Sequence, residues 1–240
     1  MHMEYGKNTY LDDTFVLANL MGPDCLRILD ELSGHFPIAP GARILDLGCG
    51  RGLTSIYLAK EYASQVFAVD LWIDASENLE RFAMLGMDDR IIPLHADAHS
   101  LPFAQRYFDV VVSIDSYQYF GAKQDFLDTH IAPLVKPDGV IAISVPGLQK
   151  GLDQSMLPGE LTRFWGGADI DFHPLQWWER LFSHSQMTVR EATFSHRCHR
   201  KAWQTWLGCD NPYAKQDVEM MEIEAGRYFD TIGLVYRVKR

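Results

Sequence analysis

The chain has 240 residues, 47% of them apolar and 22% charged, with a formal net charge of −10 at pH 7. That length buries a sizeable core without staples, and the composition is that of ordinary globular proteins, which excludes disordered and fibrous classes. The acidic balance argues against nucleic acid as a partner, because the basic residues are scattered apart from His196, Arg197, His199, Arg200 and Lys201, and nucleic-acid binders concentrate such residues into a patch.

From Val16 to Leu32 apolar residues recur near helical spacing, with a break at Gly22-Pro23 and a stop at Gly34. ARILDLG then has the dense apolar character of a buried parallel strand; the glycines of GCGRG break it, and LTSIYLAKEYA resumes a helical period. The alternation continues with a strand over residues 65–69 ending in Asp70, a helix over 76–85 and a strand over 91–95 ending near Asp97. Next come the strand FDVVVSID, a helix over 124–134, the turn KPDG and the strand VIAISVP. Strands separated by helices pair in parallel through right-handed crossovers, so residues 41–146 are expected to form one doubly wound α/β unit behind an N-terminal arm and leading helix over 1–40.

After Pro146 the rhythm changes. Residues 147–173 hold glycines and aromatics without a clear period and read as a cap or acceptor loop. WWERLFSHS reads as helix, MTVREATFS as strand, residues 198–226 as helix broken near Asn211-Pro212, and TIGLVYRV as a closing strand, the last two strands being antiparallel. The whole chain is read as a single domain, without repeats.

Four cysteines, Cys25, Cys49, Cys198 and Cys209, show no CxxC spacing, and MHMEYGKNTY has no apolar leader segment, so free thiols and a cytoplasmic location are expected. No apolar run approaches the roughly 20 residues of a membrane-spanning helix, so no membrane partner is expected. Cys198 lies between His196 and His199, but no second ligand cluster of fitting spacing accompanies it, and no metal is assigned.

The most informative segment is ILDLGCGRG, residues 44–52. Gly48, Gly50 and Gly52 let the chain turn sharply between strand and helix and leave no side chain to block a ligand lying across the turn, with Cys49 at its apex. The spacing is G-x-G-x-G, with Leu53 where a dinucleotide fingerprint would have its third glycine. Asp46 precedes it. A pyrophosphate is repelled by a carboxylate there, whereas an ammonium or sulfonium is favoured. Asp70, 24 positions after Asp46, ends the second strand where a carboxylate can accept from both ribose hydroxyls. Asp97, beyond the third strand, can accept from an adenine amino group.

ILDLGCGRG, AVDLW, HADAHSLPF, FDVVVSIDS and LVKPDGVIAIS, in this order, resemble the class I S-adenosylmethionine-dependent methyltransferases over roughly residues 40–146. The resemblance implies a mostly parallel seven-stranded sheet with one antiparallel strand near an edge. It also implies S-adenosylmethionine as cofactor, with S-adenosylhomocysteine as product. By position, Asp46 and the backbone of Gly48, Gly50 and Gly52 would face the methionine part, and Asp70 with Leu71 would hold the ribose. Trp72 would pack beside the adenine, Asp97 and Ala98 would meet its polar edge, and the segment from Ser113 to Asp115 would close the methionine side. Arg51 stands where a smaller residue is expected.

Methyl transfer needs alignment and exclusion of water more than a nucleophile. Catalytic candidates are therefore few: Asp115 and Tyr117 after the fourth strand, with Tyr119 beside them, and His173 as a base in the cap next to Trp165, Asp169 and Asp171. The tyrosines either stabilise a cation by their ring faces or pack beneath the cap, and His173 is otherwise a turn residue before Pro174. Tyr5 and Tyr10 are a lid over the cofactor or part of a frayed terminus. The acidic surface and modest cap favour a small-molecule acceptor, and IDSY replaces the Asn-Pro-Pro-Tyr type of motif that follows the fourth strand in amino-methylating enzymes of nucleic acids and proteins. The aromatic-rich C-terminal third offers a surface for homo-oligomer formation. Two other readings stay open: a nucleotide-dependent oxidoreductase, which predicts NAD(P) affinity, and a noncatalytic sensor or assembly protein, which predicts binding without turnover.

Overall fold

The computed structural model describes residues 11–165 and 172–240. In chain order the helices are α1 (Asp13–Asn19), α2 (Cys25–Ser33), α3 (Leu53–Glu61), α4 (Ala75–Met84), the single turn α5 (Gly159–Thr162), α6 (Leu175–Ser183), α7 (His199–Leu207) and α8 (Pro212–Glu224). The strands are β1 (Arg43–Leu47), β2 (Gln65–Asp70), β3 (Ile91–His95), β4 (Phe108–Ile114), β5 (Val135–Leu148), the two-residue β6 (His173–Pro174), β7 (Thr188–Ser195) and β8 (Phe229–Val238).

The sheet runs β3-β2-β1-β4-β5-β8-β7, and β6 adds to β5. β1 to β5 pair in parallel, while β8 is antiparallel to both β5 and β7. It is therefore the reversed strand, next to the edge, as the class I resemblance implies. Among the described residues no helix is long and apolar enough to cross a membrane.

The period of two along the strands divides the interior. Ile44, Val66, Ala68, Val110, Val112, Val140 and Ala142 join one core with α2, α3 and α7. Their neighbours Leu45, Phe67, Val69, Val111, Ile141 and Ile143 join a second core with Trp178 and Phe182 of α6. Both faces of the sheet are thus covered, which explains the near-continuous apolar runs of its strands.

Local chemistry sets the helix ends. The Asp24 carboxylate accepts from the Arg27 amide at 3.2 Å and starts α2, whose Leu26, Ile28, Leu29 and Leu32 are buried. Pro23 disfavours helical backbone at Gly22, so the leading segment divides into α1 and α2. α3 is buried at every position from Leu53 to Ala59, including Thr54 and Ser55, so its polar side chains must find partners inside the protein.

Three expectations are corrected. The helix expected over residues 124–134 is instead a π turn, Leu127–Ile131, followed by a 3-10 turn, Ala132–Leu134. Pro133 lacks the amide that an α-helix would need there. KPDG does not precede a strand but bulges out of β5: Phe108 pairs with Val135 and Val110 with Val140, and Asp138 takes φ +63°. β5 also extends past Pro146 to Leu148, supported along its whole C-terminal half by β8.

Candidate functional site

A cavity of about 430 Å³ opens at the carboxyl ends of β1, β2, β3 and β4, where ligands of open α/β sheets bind. Of the residues singled out from the sequence, Gly48, Cys49, Gly50, Arg51, Asp70, Leu71, Trp72, Asp97, Ala98, Asp115 and Tyr119 line it.

The loop after β1 is held over the end of β2. Gly48 and Cys49 amides donate to Val69 O at 2.8 and 3.0 Å, and the Gly50 amide donates to Asp70 Oδ2 at 2.8 Å. From α4, Asn78 Nδ2 donates to Gly50 O at 2.9 Å. The other oxygen of Asp70 accepts from the amides of Trp72 and Ile73 at 2.7 and 2.9 Å. Asp70 therefore organises both the glycine loop and the turn after β2. Trp72 is 65% exposed and meets the Tyr119 ring edge-on at 5.0 Å, so the two aromatics form the rim. On the far side, Asp97 accepts from the amide of His99 at 2.9 Å and lies 2.8 Å from its ring Nδ1. These two contacts, the amide foremost, hold the Asp97 carboxyl below its ordinary range.

Asp46 and Gly52 do not line the cavity; they support it. The Asp46 side chain is fully buried, and its Oδ2 accepts from Thr54 Oγ and Ser55 Oγ, each at 2.6 Å. Burial raises its pKa to about 6 against those two bonds, with the charge of Asp70 adding to the rise. Its Oδ1 has no hydrogen-bond partner among the described residues. Asp46 thus acts on the cavity through Thr54, which does line it. Gly52 takes φ +81°, and a Cβ there would lie 2.5 Å from the Phe82 ring, so this glycine serves the packing of α3 on α4. Ser113 is buried in β4 and is absent from the lining, with no partner for its hydroxyl among the described residues.

The catalytic candidates separate. Asp115 is half-buried in the lining with φ +54°; its amide donates to Ser144 O at 2.8 Å, and Gln118 Nε2 donates to its carbonyl at 3.1 Å. Burial, with the negative charge of Asp217 from α8 added, pushes its carboxyl up to about 7. Tyr117 turns the other way. It is 1% exposed, packs among Phe120, Phe126, Trp178 and Phe182, and has no partner for its hydroxyl among the described residues, so it belongs to the second core and not to the cavity. His173 sits in β6 opposite Gly147, with its ring stacked on Trp177 at 3.6 Å. No described residue from 147 to 173 lines the cavity. Tyr5, Tyr10, Asp169 and Asp171 lie outside the described residues, and Trp165 ends the last turn before 166–171.

The remaining wall comes from the link between α1 and α2, a contribution absent from the sequence reading. Asn19, Met21, Gly22, Pro23 and Cys25 line the cavity, and a Cβ on Gly22 would lie 2.7 Å from Asp115 Oδ2. Arg51, the unexpectedly large residue of the glycine loop, donates from Nη1 to Ala18 O at 2.9 Å and so ties that wall to the loop. The Gly22-Pro23 break was the one sequence signal for it.

Charge decides what the cavity can hold. Its lining carries the carboxyl groups of Asp70, Asp97 and Asp115, the last ionised only above about pH 7, and a single guanidinium, Arg51, which donates to the α1 backbone. An enclosed space of that sign favours a cationic ligand with hydroxyl and amino donors and disfavours a pyrophosphate. The partnerless oxygen of buried Asp46 adds one more unmet acceptor beneath the floor. This donor set fits S-adenosylmethionine, which carries an ammonium, a sulfonium, a ribose diol and an adenine amine.

Comparison with known proteins agrees. A family model described as a methyltransferase domain matches residues 44–139. The 27-O-demethylrifamycin SV methyltransferase of Amycolatopsis mediterranei is 30% identical over 118 residues, which cover 49% of this chain and 43% of that protein. The mitochondrial arginine-hydroxylase NDUFAF5 of Homo sapiens is 34% identical over 110 residues, covering 46% of this chain and 29% of that protein. The matched stretch thus spans less than half of either relative. Among solved structures, geranyl diphosphate C-methyltransferase from Streptomyces coelicolor, in complex with Mg2+, geranyl diphosphate and S-adenosyl-L-homocysteine, shares the fold. Its TM-score is 0.72 at 15% identity, over 99% of this chain and 91% of that one. Residues 44–139 thus match a methyltransferase domain, and the chain as a whole shares the fold of that solved methyltransferase.

Proposed function

We propose that the chain transfers a methyl group from S-adenosylmethionine to a small-molecule acceptor. The observation that carries this reading is the acidic lining of the cavity, in which Asp70, Asp97 and Asp115 outnumber the one guanidinium, Arg51. Asp70 would hold the ribose, Leu71 and Trp72 would flank the nucleoside, and Asp97 with Ala98 would meet the adenine edge. The backbone of Gly48, Cys49 and Gly50 would lie along the methionine part, with Asp46, Gly52 and Ser113 as supports behind it. When bound, the cofactor supplies an electrophilic methyl on a sulfonium whose leaving group departs neutral, so the chain need not provide a nucleophile.

The acceptor side is assigned to Asp115, Tyr119 and the α1–α2 link. A volume of about 430 Å³ matches one ligand of cofactor size. The acceptor would therefore enter between Tyr119, Met21 and Gly22, where a compact molecule fits more readily than a polymer. The ring faces of Tyr119 and Trp72 favour a cationic centre at the rim. Asp115 would take the proton that an amine or hydroxyl acceptor loses, in place of His173 and Tyr117, which do not line the cavity.

Two measurements test this. In an acceptor screen with labelled cofactor, the label is expected on small molecules; transfer only to nucleic acid or protein would contradict the acceptor class. The pH profile tests Asp115. Its carboxyl is raised to about 7, so it is protonated below that value and becomes a base above it. kcat/KM for the acceptor should rise through about pH 7 and then level. A nearby sulfonium favours the carboxylate, so bringing the cofactor to saturation should lower that inflection. Asp115→Asn should lower the rate by about 10²–10⁴-fold and flatten the profile. An unaltered rate in that variant would remove Asp115 from the proton path.

A further inference from the structure

Outside the cavity, a group of ligating side chains gathers where α2, α7 and β5 meet. Glu31 near the end of α2 faces His196 and Cys198 at the entry to α7, with Glu31 Oε2 3.6 Å and Cys198 Sγ 3.9 Å from His196 Nδ1. The three ligand atoms all lie within 4.8 Å of one another. We propose that Glu31, His196 and Cys198 bind a thiophilic divalent cation of the zinc type, which would tie α2 to the start of α7.

The spacing suits such an ion. Tetrahedral zinc, with bonds of about 2.0–2.3 Å to nitrogen, oxygen and sulfur, places its ligand atoms roughly 3.3–3.8 Å apart. The 3.6 Å separation of Glu31 Oε2 and His196 Nδ1 falls in that range and is longer than a good nitrogen–oxygen hydrogen bond, and the 3.9 Å separation of Cys198 Sγ and His196 Nδ1, a long sulfur hydrogen bond, lies just beyond it. Carboxylate, imidazole and thiolate are also the donor set that zinc takes, and a fourth position stays open to water because Glu31 and Cys198 are only half-buried.

The surroundings orient the ligands as an ion requires. The His196 ring is fully buried, and its Nε2 lies 3.1 Å from Ser144 Oγ, a contact that fixes the ring and turns Nδ1 toward Glu31 and Cys198. Glu31 accepts from the amides of Arg197 through Oε1 and of Cys198 through Oε2, both at 2.9 Å, so the carboxylate is clamped against the strand-to-helix connection. These two bonds also serve the start of α7, and Oε2 keeps a further lone pair for an ion. Arg27, the nearest cation on α2, is 3.6 Å from Asp24, which offsets its charge. His199 is not part of the group, since its Nδ1 lies 2.8 Å from Thr231 Oγ.

The test uses the whole chain after exhaustive chelation, titrated with Co2+ and then with Zn2+. One equivalent of Co2+ should produce a near-ultraviolet thiolate-to-cobalt absorption, and one equivalent of Zn2+ should abolish it. Cys198→Ser should remove the band, Glu31→Gln should weaken Zn2+ binding at least about 10-fold, and Ser144→Ala should weaken it about 10–100-fold while leaving the band in place. Circular dichroism on each variant separates loss of a ligand from loss of fold; Cys198→Ser, at a half-buried position, provides the decisive comparison. Absence of the band in the wild-type chain, or its persistence in folded Cys198→Ser, would overturn the assignment.

Discussion

Asp70→Asn is expected to weaken S-adenosylmethionine binding by about 10²-fold. A carboxylate offers about four acceptor directions, and at Asp70 three are filled by the amides of Gly50, Trp72 and Ile73, which leaves one for a ligand hydroxyl. Asparagine replaces one oxygen with an NH2 group. Whichever way the amide turns, that group opposes at least one backbone donor, so the variant loses a ligand contact and also displaces either the glycine loop or the turn before Ile73. A hydrogen bond to a charged group contributes about 1.5–3 kcal/mol, which is roughly one to two decades of affinity, and the displaced loop adds to it. Quenching of tryptophan fluorescence, with Trp72 at the rim, provides the readout. Asp70→Glu should not rescue binding, because the longer side chain cannot keep all three amides. A loss smaller than about threefold in Asp70→Asn would mean that the ligand does not touch this carboxylate.

Gly48→Ala is expected to cost about 2–5 kcal/mol of stability and to abolish cofactor binding. Gly48 has φ +74°, where an L residue is strained by about 1–2 kcal/mol. A Cβ there would also fall 1.7 Å from Ser116 Oγ and 2.4 Å from Ser116 Cβ. The hydroxyl can rotate away but the Cβ cannot, so the loop or the start of the turn after β4 must shift, at a further cost of about 1–3 kcal/mol. Ser116 itself lines the cavity, so the shift reaches the site. Gly41 supplies the control: it has φ +77°, and a Cβ there would meet nothing within 4 Å, so Gly41→Ala should show the backbone cost alone. Urea unfolding of the two variants isolates the steric part by difference. Equal costs would show that the loop yields without penalty.

The parts of the site visible in the sequence are those encoded by neighbours in the chain. The end of β1 with its glycines, Asp70 at the end of β2 and Asp97 after β3 each follow an apolar run that marks the strand, so their place at the carboxyl edge follows from strand order. What escaped is tertiary. Nothing in the residues 13–33 says that the break at Gly22-Pro23 lies against Asp115. Tyr117 and Tyr119 stand two apart on a 3-10 turn and point to different sides, and only the packing of α6 decides that Tyr117 is the one turned inward. His173 looked like a base because of its type; its neighbour Trp177 engages the ring instead. The sequence shows no further ligand for the cluster at His196 for the same reason, since Glu31 comes to it from the other end of the chain. The irregular segment over 127–134 escaped because its apolar residues, Leu127, Ile131, Ala132 and Leu134, are compatible with an α-helix until Pro133 interrupts the amide ladder.

The central claim, that this anionic cavity holds S-adenosylmethionine, is tested most directly by calorimetric titration of the whole chain with S-adenosylmethionine and, separately, with NAD. The predicted result is one S-adenosylmethionine bound per chain and no heat with NAD. Binding of NAD, or of neither ligand, would contradict the account.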